Sequence, residues 1–185
     1  MTATATRAEQ IPTGTWTIDP SHSSIEFSVR HMMVAKVKGR FGKFSGTVNV
    51  PDDRLASSVA VTIDAASVDT RDENRDNHLR SADFLDVATY PELTFKSTGI
   101  SQKGDHYELR GDLTIKAVSR PVSLDVEFEG VGPDPYGGTR AGFSATTTIS
   151  RADFGLTWNA ALETGGVVVG DEVRISIEVE LVKQA

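Results

Sequence analysis

Apolar and polar residues alternate with a period of two through most of the chain, and a strand is the conformation in which that spacing sorts them onto opposite faces. The cleanest run is the last, where Val173, Ile175, Ile177, Val179 and Leu181 alternate with polar neighbours. In the first half the same rule joins Trp16 and Ile18, then Ile25, Phe27, Val29 and His31, then Phe44, Gly46, Val48 and Val50, then Val59, Val61, Ile63 and Ala65. Leu93 and Phe95 follow, then Tyr107, Leu109, Gly111, Leu113, Ile115 and Ala117. Val122, Leu124, Val126 and Phe128 come next, and after them Phe143, Ala145, Thr147 and Ile149. Strict alternation means one solvated and one buried face. The turns at Pro51-Asp52-Asp53, Lys103-Gly104-Asp105, Pro133 to Gly138 and Gly165-Gly166 are too short for parallel crossovers, so neighbouring strands run antiparallel. Eight or nine such segments with only one or two short helices have to pack as a sandwich or close on themselves, and closure removes every exposed edge. The expected fold is all-β, an extended eight-stranded antiparallel barrel.

Runs such as 105–117 and 171–183 reach roughly 40 Å at about 3.3 Å per residue. An eight-stranded barrel is just wide enough to be filled by side chains or to hold one small ligand. Alternation alone leaves both readings open. Gly46, Gly111, Ala65, Ala117 and Ala145 on the apolar faces leave room for a lumen, or equally ease strand bending.

The 185 residues suit a single domain over 14–183, with residues 1–13 as a flexible lead-in. The absence of cysteine excludes disulfides, thiolate nucleophiles and iron–sulfur clusters, and the net charge of -7 argues against nucleic acid. No segment approaches the roughly 20 apolar residues of a membrane-spanning helix. The polar start lacks the apolar run of a secretion signal, which makes the expected location cytoplasmic.

Ser67 to Pro91 breaks the strand pattern and reads as a short polar helix near 71–82. Thr70 and Glu73 fit a capping box, and Asp76 and Arg80 are spaced for an ion pair. Without a broad apolar stripe, this helix lies on the barrel or caps it. There is no nucleophile elbow, phosphate-binding loop or zinc-protease motif. His22 and His106 sit beside turns, and His78 lies in the polar helix. His31 falls by parity on the apolar face, either as a satisfied core histidine or as a lumen donor. No histidine spacing announces a metal site.

The segment SVDTRDENRDNHLRSADFLDVATYPELTF, with TWTIDPSHSSIEFSVRHM, GRFGKFSGTV, GDLTIKAVSRPVSL, DPYGGTRAGFSA and GDEVRISIEVEL in order around it, resembles the YceI-like polyisoprenoid-binding family over residues 14–183. His22, Thr70, Arg75, Asp76, His78, Leu79, Phe84 and Pro91 stand at motif positions of that family. The resemblance implies a lipocalin-like barrel whose apolar pore holds an isoprenoid chain such as a quinone tail or prenyl pyrophosphate, for carriage, storage or sequestration. The pore lining would then be Phe27, Val29, His31, Phe44, Val48, Val61, Ile63, Phe95, Leu113, Ile115, Leu124, Val126, Phe143, Ile175 and Ile177. His22, Arg71, Arg75 and His78 would meet a polar head at the mouth. On this reading the partner is a polyisoprenoid or quinone, with no covalent cofactor, metal or catalytic residue, and homodimer formation stays open. The competing readings are an enzyme using His22, His31, His78 and Asp76 as acid/base groups, and a filled barrel that scaffolds other proteins.

Overall fold

The computed structural model describes residues 10–185. Its strands are β1 (Gly14–Ile18), β2 (Ser24–His31), β3 (Ala35–Phe41), β4 (Phe44–Val50), β5 (Ser58–Asp64), β6 (Val68–Asp69), β7 (Glu92–Lys103), β8 (His106–Ile115), β9 (Val118–Pro133), β10 (Thr139–Ser150) and β11 (Val169–Lys183). Among the described residues one α-helix, α1 (Glu73–Arg80), and short 3₁₀ turns interrupt them. The ring runs β1-β4-β5-β7-β8-β9-β10-β11 and returns to β1, an eight-stranded closed barrel in which every pairing is antiparallel.

Closure depends on how β11 is shared. Its C-terminal half pairs with β1 (Ile18↔Leu181), and its N-terminal half pairs with β2 (Ile25↔Ile177). β1 and β2 therefore act as one strand broken by the turn at Asp19–Ser23, and they keep inward parity across the break. Arg140 of β10 secures this break. Its Nη1 donates to Asp19 Oδ2 at 2.7 Å and to Glu180 Oε1 at 2.5 Å, while its Nε donates to Asp134 Oδ2 at 3.0 Å. β3 continues beyond the ring as a hairpin with β2 and carries the two-residue β6 on its other edge.

Two apolar clusters sit inside. One gathers Ile11, Trp16, Val50, Tyr107, Phe128, Ala141 and Leu181; the other gathers Ile25, Phe44, Ile63, Val68, Leu85, Leu93, Leu113, Ile149 and Phe154 with their neighbours. Trp16 is fully buried, with Nε1 donating to the Pro12 carbonyl at 3.1 Å, and Phe128 is only 2% exposed. By contrast Phe27, Val61, Phe95, Val126, Ile175 and Ile177 point inward yet remain half-buried. A filled core buries such residues fully. These border a hollow.

The structure corrects several sequence expectations. Of the lead-in, residues 1–9 lie outside the described residues. Within the rest, Gln10 and Thr13 are exposed but Ile11 is buried, and its carbonyl accepts from Arg54 Nε at 2.9 Å. β3 escaped the alternation argument because Lys36, Lys38 and Arg40 outweigh Val37, Gly39 and Phe41, although the inward set still alternates. Ala65 lies in a 3₁₀ turn after β5, and Ala117 lies with Lys116 in a left-handed turn (φ 61° and 52°), so neither lines a strand. Gly46 and Gly111 do not open a lumen. A Cβ on Gly111 would lie 2.4 Å from the Phe95 ring, and one on Gly46 would lie 2.5 Å from Ile18, so each makes room for a neighbouring side chain.

A hollow interior predicts uneven costs for truncation. Phe128→Ala should cost about 3–5 kcal/mol in urea unfolding, because it opens a void in a packed cluster. Ile177→Ala, ending at an existing void, should cost only about 1–2 kcal/mol.

Candidate functional site

The barrel encloses an apolar cavity of about 750 Å³. This lies within the roughly 300–1,000 Å³ typical of small-molecule sites. Every strand residue named above as pore lining borders it: Phe27, Val29, His31, Phe44, Val48, Val61, Ile63, Phe95, Leu113, Ile115, Leu124, Val126, Phe143, Ile175 and Ile177. They do so because inward parity survives along each strand. The cavity reaches from Ile11 and Leu55 at the Trp16 end to Trp158, Val168 and α1 at the other.

The α1 end is covered by two segments that meet edge to edge. The His78 ring stands against Trp158 (centroids 4.7 Å, 85°) and Phe84 (5.0 Å, 83°), and Phe84 also meets Trp158 at 5.4 Å. Trp158 belongs to the 155–168 loop, which Arg151 fastens. That buried guanidinium donates to the carbonyls of Leu156, Trp158, Val169 and Gly170 at 2.6–3.1 Å. Burial pushes its pKa below the usual arginine value, with Asp171 opposing.

Helix α1 is capped differently from the sequence expectation. Asp72, not Thr70, is the N-cap, and its carboxylate accepts from the Arg75 amide at 3.0 Å. Thr70 instead turns inward, where its amide and hydroxyl donate to the buried Asp76 Oδ1 at 2.8 and 2.6 Å. Asp76 is therefore not paired with Arg80, whose guanidinium donates to the carbonyls of Ala66 and Val68, both at 2.9 Å. The helix is pinned by the backbone it follows.

The proposed head-group residues separate. Arg75 and His78 border the cavity, but Arg75 is spent on Thr70 (Nε to Oγ1 2.8 Å, Nη2 to the carbonyl 2.9 Å) and His78 Nε2 pairs with Asp83 at 2.8 Å. Arg71 and His22 do not border it. A left-handed backbone at Arg71 (φ 63°), its amide held by Asp69, leaves that side chain exposed. His22 lies on the outer turn with Nδ1 2.8 Å from Asp19, which raises the imidazole pKa; Ser21, His22 and Arg140 together hold Asp19 far below the carboxylate range. Asp19, His22 and Glu180 present ligand atoms within 4.8 Å of one another, but Arg140 already occupies the position of a cation.

Other polar groups on the cavity wall are uncommitted, among them two at the end of β2 and, elsewhere on the wall, Glu26 and Asn74. His31 and Arg30 border it near Val168 and Val169, and neither has a hydrogen-bond or ionic partner among the described residues. Parity indicated His31. Arg30 was missed because it belongs to the outward face and reaches the rim only as the last outward residue before the hairpin tip. The 155–168 loop, with Trp158, was missed because it carries no periodicity.

Comparison with known proteins agrees with this architecture. A family model for the YceI-like domain matches residues 16–181. A UPF0312 protein of Staphylococcus aureus is 39% identical over 167 residues, covering 89% of this chain and 95% of that protein. A UPF0312 protein of Vibrio cholerae is 45% identical over 138 residues, covering 74% of this chain and 73% of its own length. Among solved structures, BcnA of Burkholderia cenocepacia superposes with a TM-score of 0.77 at 28% identity, covering 88% of this chain and 98% of that one. A polyisoprenoid binding domain from Saccharophagus degradans shares the fold at TM-score 0.66 and 17% identity, covering 91% and 98%.

The contacts that pin α1 and the Asp19 turn predict three outcomes. Asp76→Ala leaves the Thr70 amide and hydroxyl without their acceptor and should cost about 2–4 kcal/mol, seen first as faster amide exchange through α1. Asp19→Asn should lower the His22 pKa toward the ordinary imidazole value, with Glu180 still holding part of the shift, read by imidazole NMR titration. Because the native His22 pKa is raised, its stabilising contribution is full below about 6.5 and is lost as pH rises through the native value. The stability gap between wild type and His22→Ala should close over that window.

Proposed function

Because this chain belongs to the YceI-like family, we propose that its cavity binds a long-chain isoprenoid, of quinone-tail or prenyl pyrophosphate type, for carriage, storage or sequestration. The observation that carries this reading is the unfilled apolar tube, whose inward residues stay half-buried around about 750 Å³. A similar fold belongs to the polyisoprenoid binding domain named above, which supports the same ligand class. Burying one isoprene unit contributes on the order of 3–4 kcal/mol, so a few units outweigh the roughly 4–15 kcal/mol cost of association. Tail burial discriminates poorly among chains. Selectivity then falls to uncommitted donors on the wall such as His31, Arg30 and Asn74, which offer hydrogen bonds to a quinone carbonyl or a phosphate oxygen.

Binding rather than turnover is the function this chemistry favours, with no covalent cofactor. The enzyme alternative has one geometric foothold, the His78–Asp83 pair beside the cavity. Turnover abolished by His78→Ala with binding intact would favour it.

Organic extraction of purified protein followed by mass spectrometry should yield a stoichiometric prenyl lipid. Repeated ligand-free preparations that also fail to take up quinones would overturn the proposal. Val126→Trp and Ile177→Trp should block uptake while the protein stays folded by circular dichroism.

A further inference from the structure

At the α1 end, the tip of the β2–β3 hairpin leaves an apolar surface uncovered. Val34 is 81% exposed, Met33 57% and Met32 45%, and Val167 of the neighbouring loop adds to them at 36%. The two tips are joined: the Met32 amide donates to the Val168 carbonyl at 2.8 Å, and the Met33 side chain lies over Gly166. A tight turn of this kind favours Asn or Gly, because Met32 and Met33 both have left-handed backbone (φ 50° and 62°). Large apolar residues in these positions suit neither the turn nor water.

The charge around the tip is one-sided. Arg30, Lys36 and Lys38 flank it on outward positions, with Arg30 opposite Lys36 in the register, and none has a carboxylate partner among the described residues. Residues 27–38 contain no acid, and Glu163 is the single carboxylate of the 155–168 loop, in a chain of net charge -7. Asp171, just beyond that loop, is committed to the Ser150 hydroxyl and the Ala152 amide. The barrel wall differs, since β11 turns Glu172, Arg174, Ser176 and Glu178 outward. An apolar tip ringed by unpaired cations has the chemistry of an element that enters the headgroup layer of an anionic bilayer.

We infer that the β2–β3 hairpin docks this protein on anionic phospholipid membranes, bringing the Arg30–His31 rim of the cavity to the lipid surface. His31 closes the strand immediately before Met32, so the tip that enters the headgroups and the rim of the tube are contiguous. The docking gives the isoprenoid-binding reading above its route for loading and unloading, and for that purpose it rests on that reading. The surface chemistry stands without it.

The test is co-sedimentation of the full-length protein with vesicles of phosphatidylcholine alone and of phosphatidylcholine with phosphatidylglycerol. Wild type should bind the phosphatidylglycerol vesicles, less so as ionic strength rises. Lys36→Gln with Lys38→Gln should lose about 25-fold in affinity there, fivefold for each lysine. Met33→Asn with Val34→Ser should lose about tenfold or more, and because Asn accepts a left-handed backbone, its thermal melt should match wild type. Wild type that ignores phosphatidylglycerol vesicles, or binds them no better than both variants, overturns the inference. A dimer that Met33→Asn with Val34→Ser dissolves, without vesicle binding, also overturns it and makes the tip a contact between copies. Lipid extraction separates this from the earlier proposal, since vesicle binding by a protein that never holds a prenyl lipid keeps the docking and removes the ligand reading.

Discussion

Backbone hydrogen bonding around a closed ring is the constraint on which the rest of the molecule depends. An open sheet of this length would leave two edges of unpaired amides and carbonyls, and here β11 closes the ring by pairing its C-terminal half with β1. Its N-terminal half carries the β2–β3 hairpin, whose outer edge meets only β6 among the described residues. The strand made of β1 and β2 has to break to do this, and the break is held by the Arg140 bonds to Asp19, Glu180 and Asp134. Once eight strands close, their number sets the width. Val, Ile and Leu side chains then meet fully only at the two clusters and leave a hollow between them.

The two ends are finished by different chemistry. Trp16, Phe128 and Leu181 pack one of them, with Ile11 folded in from before β1. The other is covered by polar segments that are tied down through their own backbone: Asp76 holds Thr70, Arg80 holds Ala66 and Val68, and Arg151 holds the loop that carries Trp158. These contacts consume most of the charge that made the 67–91 segment conspicuous. Arg30, His31, Asn74 and an apolar hairpin tip are among what is left over at that end, where the chain has polar and apolar groups to offer to something other than itself.

The readability of each part follows from the range of the interaction behind it. Phe27, Val61, Val126 and Ile177 were legible because a strand's period of two is local, and one buried face is enough to reveal it. β3 was not, because Lys36, Lys38 and Arg40 masked a valid inward set of Val37, Gly39 and Phe41. The helix cap was misread because Thr70 and Asp72 are both good caps by sequence, and only the position of Asp76 decides between them. His22 and Arg71 were expected to meet a polar head at the mouth, and the fold turns both away from the cavity.

Sequence alone determined the all-β barrel, its antiparallel order, the inward face of most strands and the family to which the chain belongs, because each rests on local periodicity, turn length or contiguous motifs. Only the tertiary structure decided that the interior is hollow, since alternation is identical for a filled and an empty barrel and the difference lies in ring width against side-chain volume. It also decided which charges are spent. Arg75 turns back onto Thr70, whereas among the described residues no partner from the strands and loops around Arg30 reaches it, and neither outcome is encoded by a period of two or about 3.6.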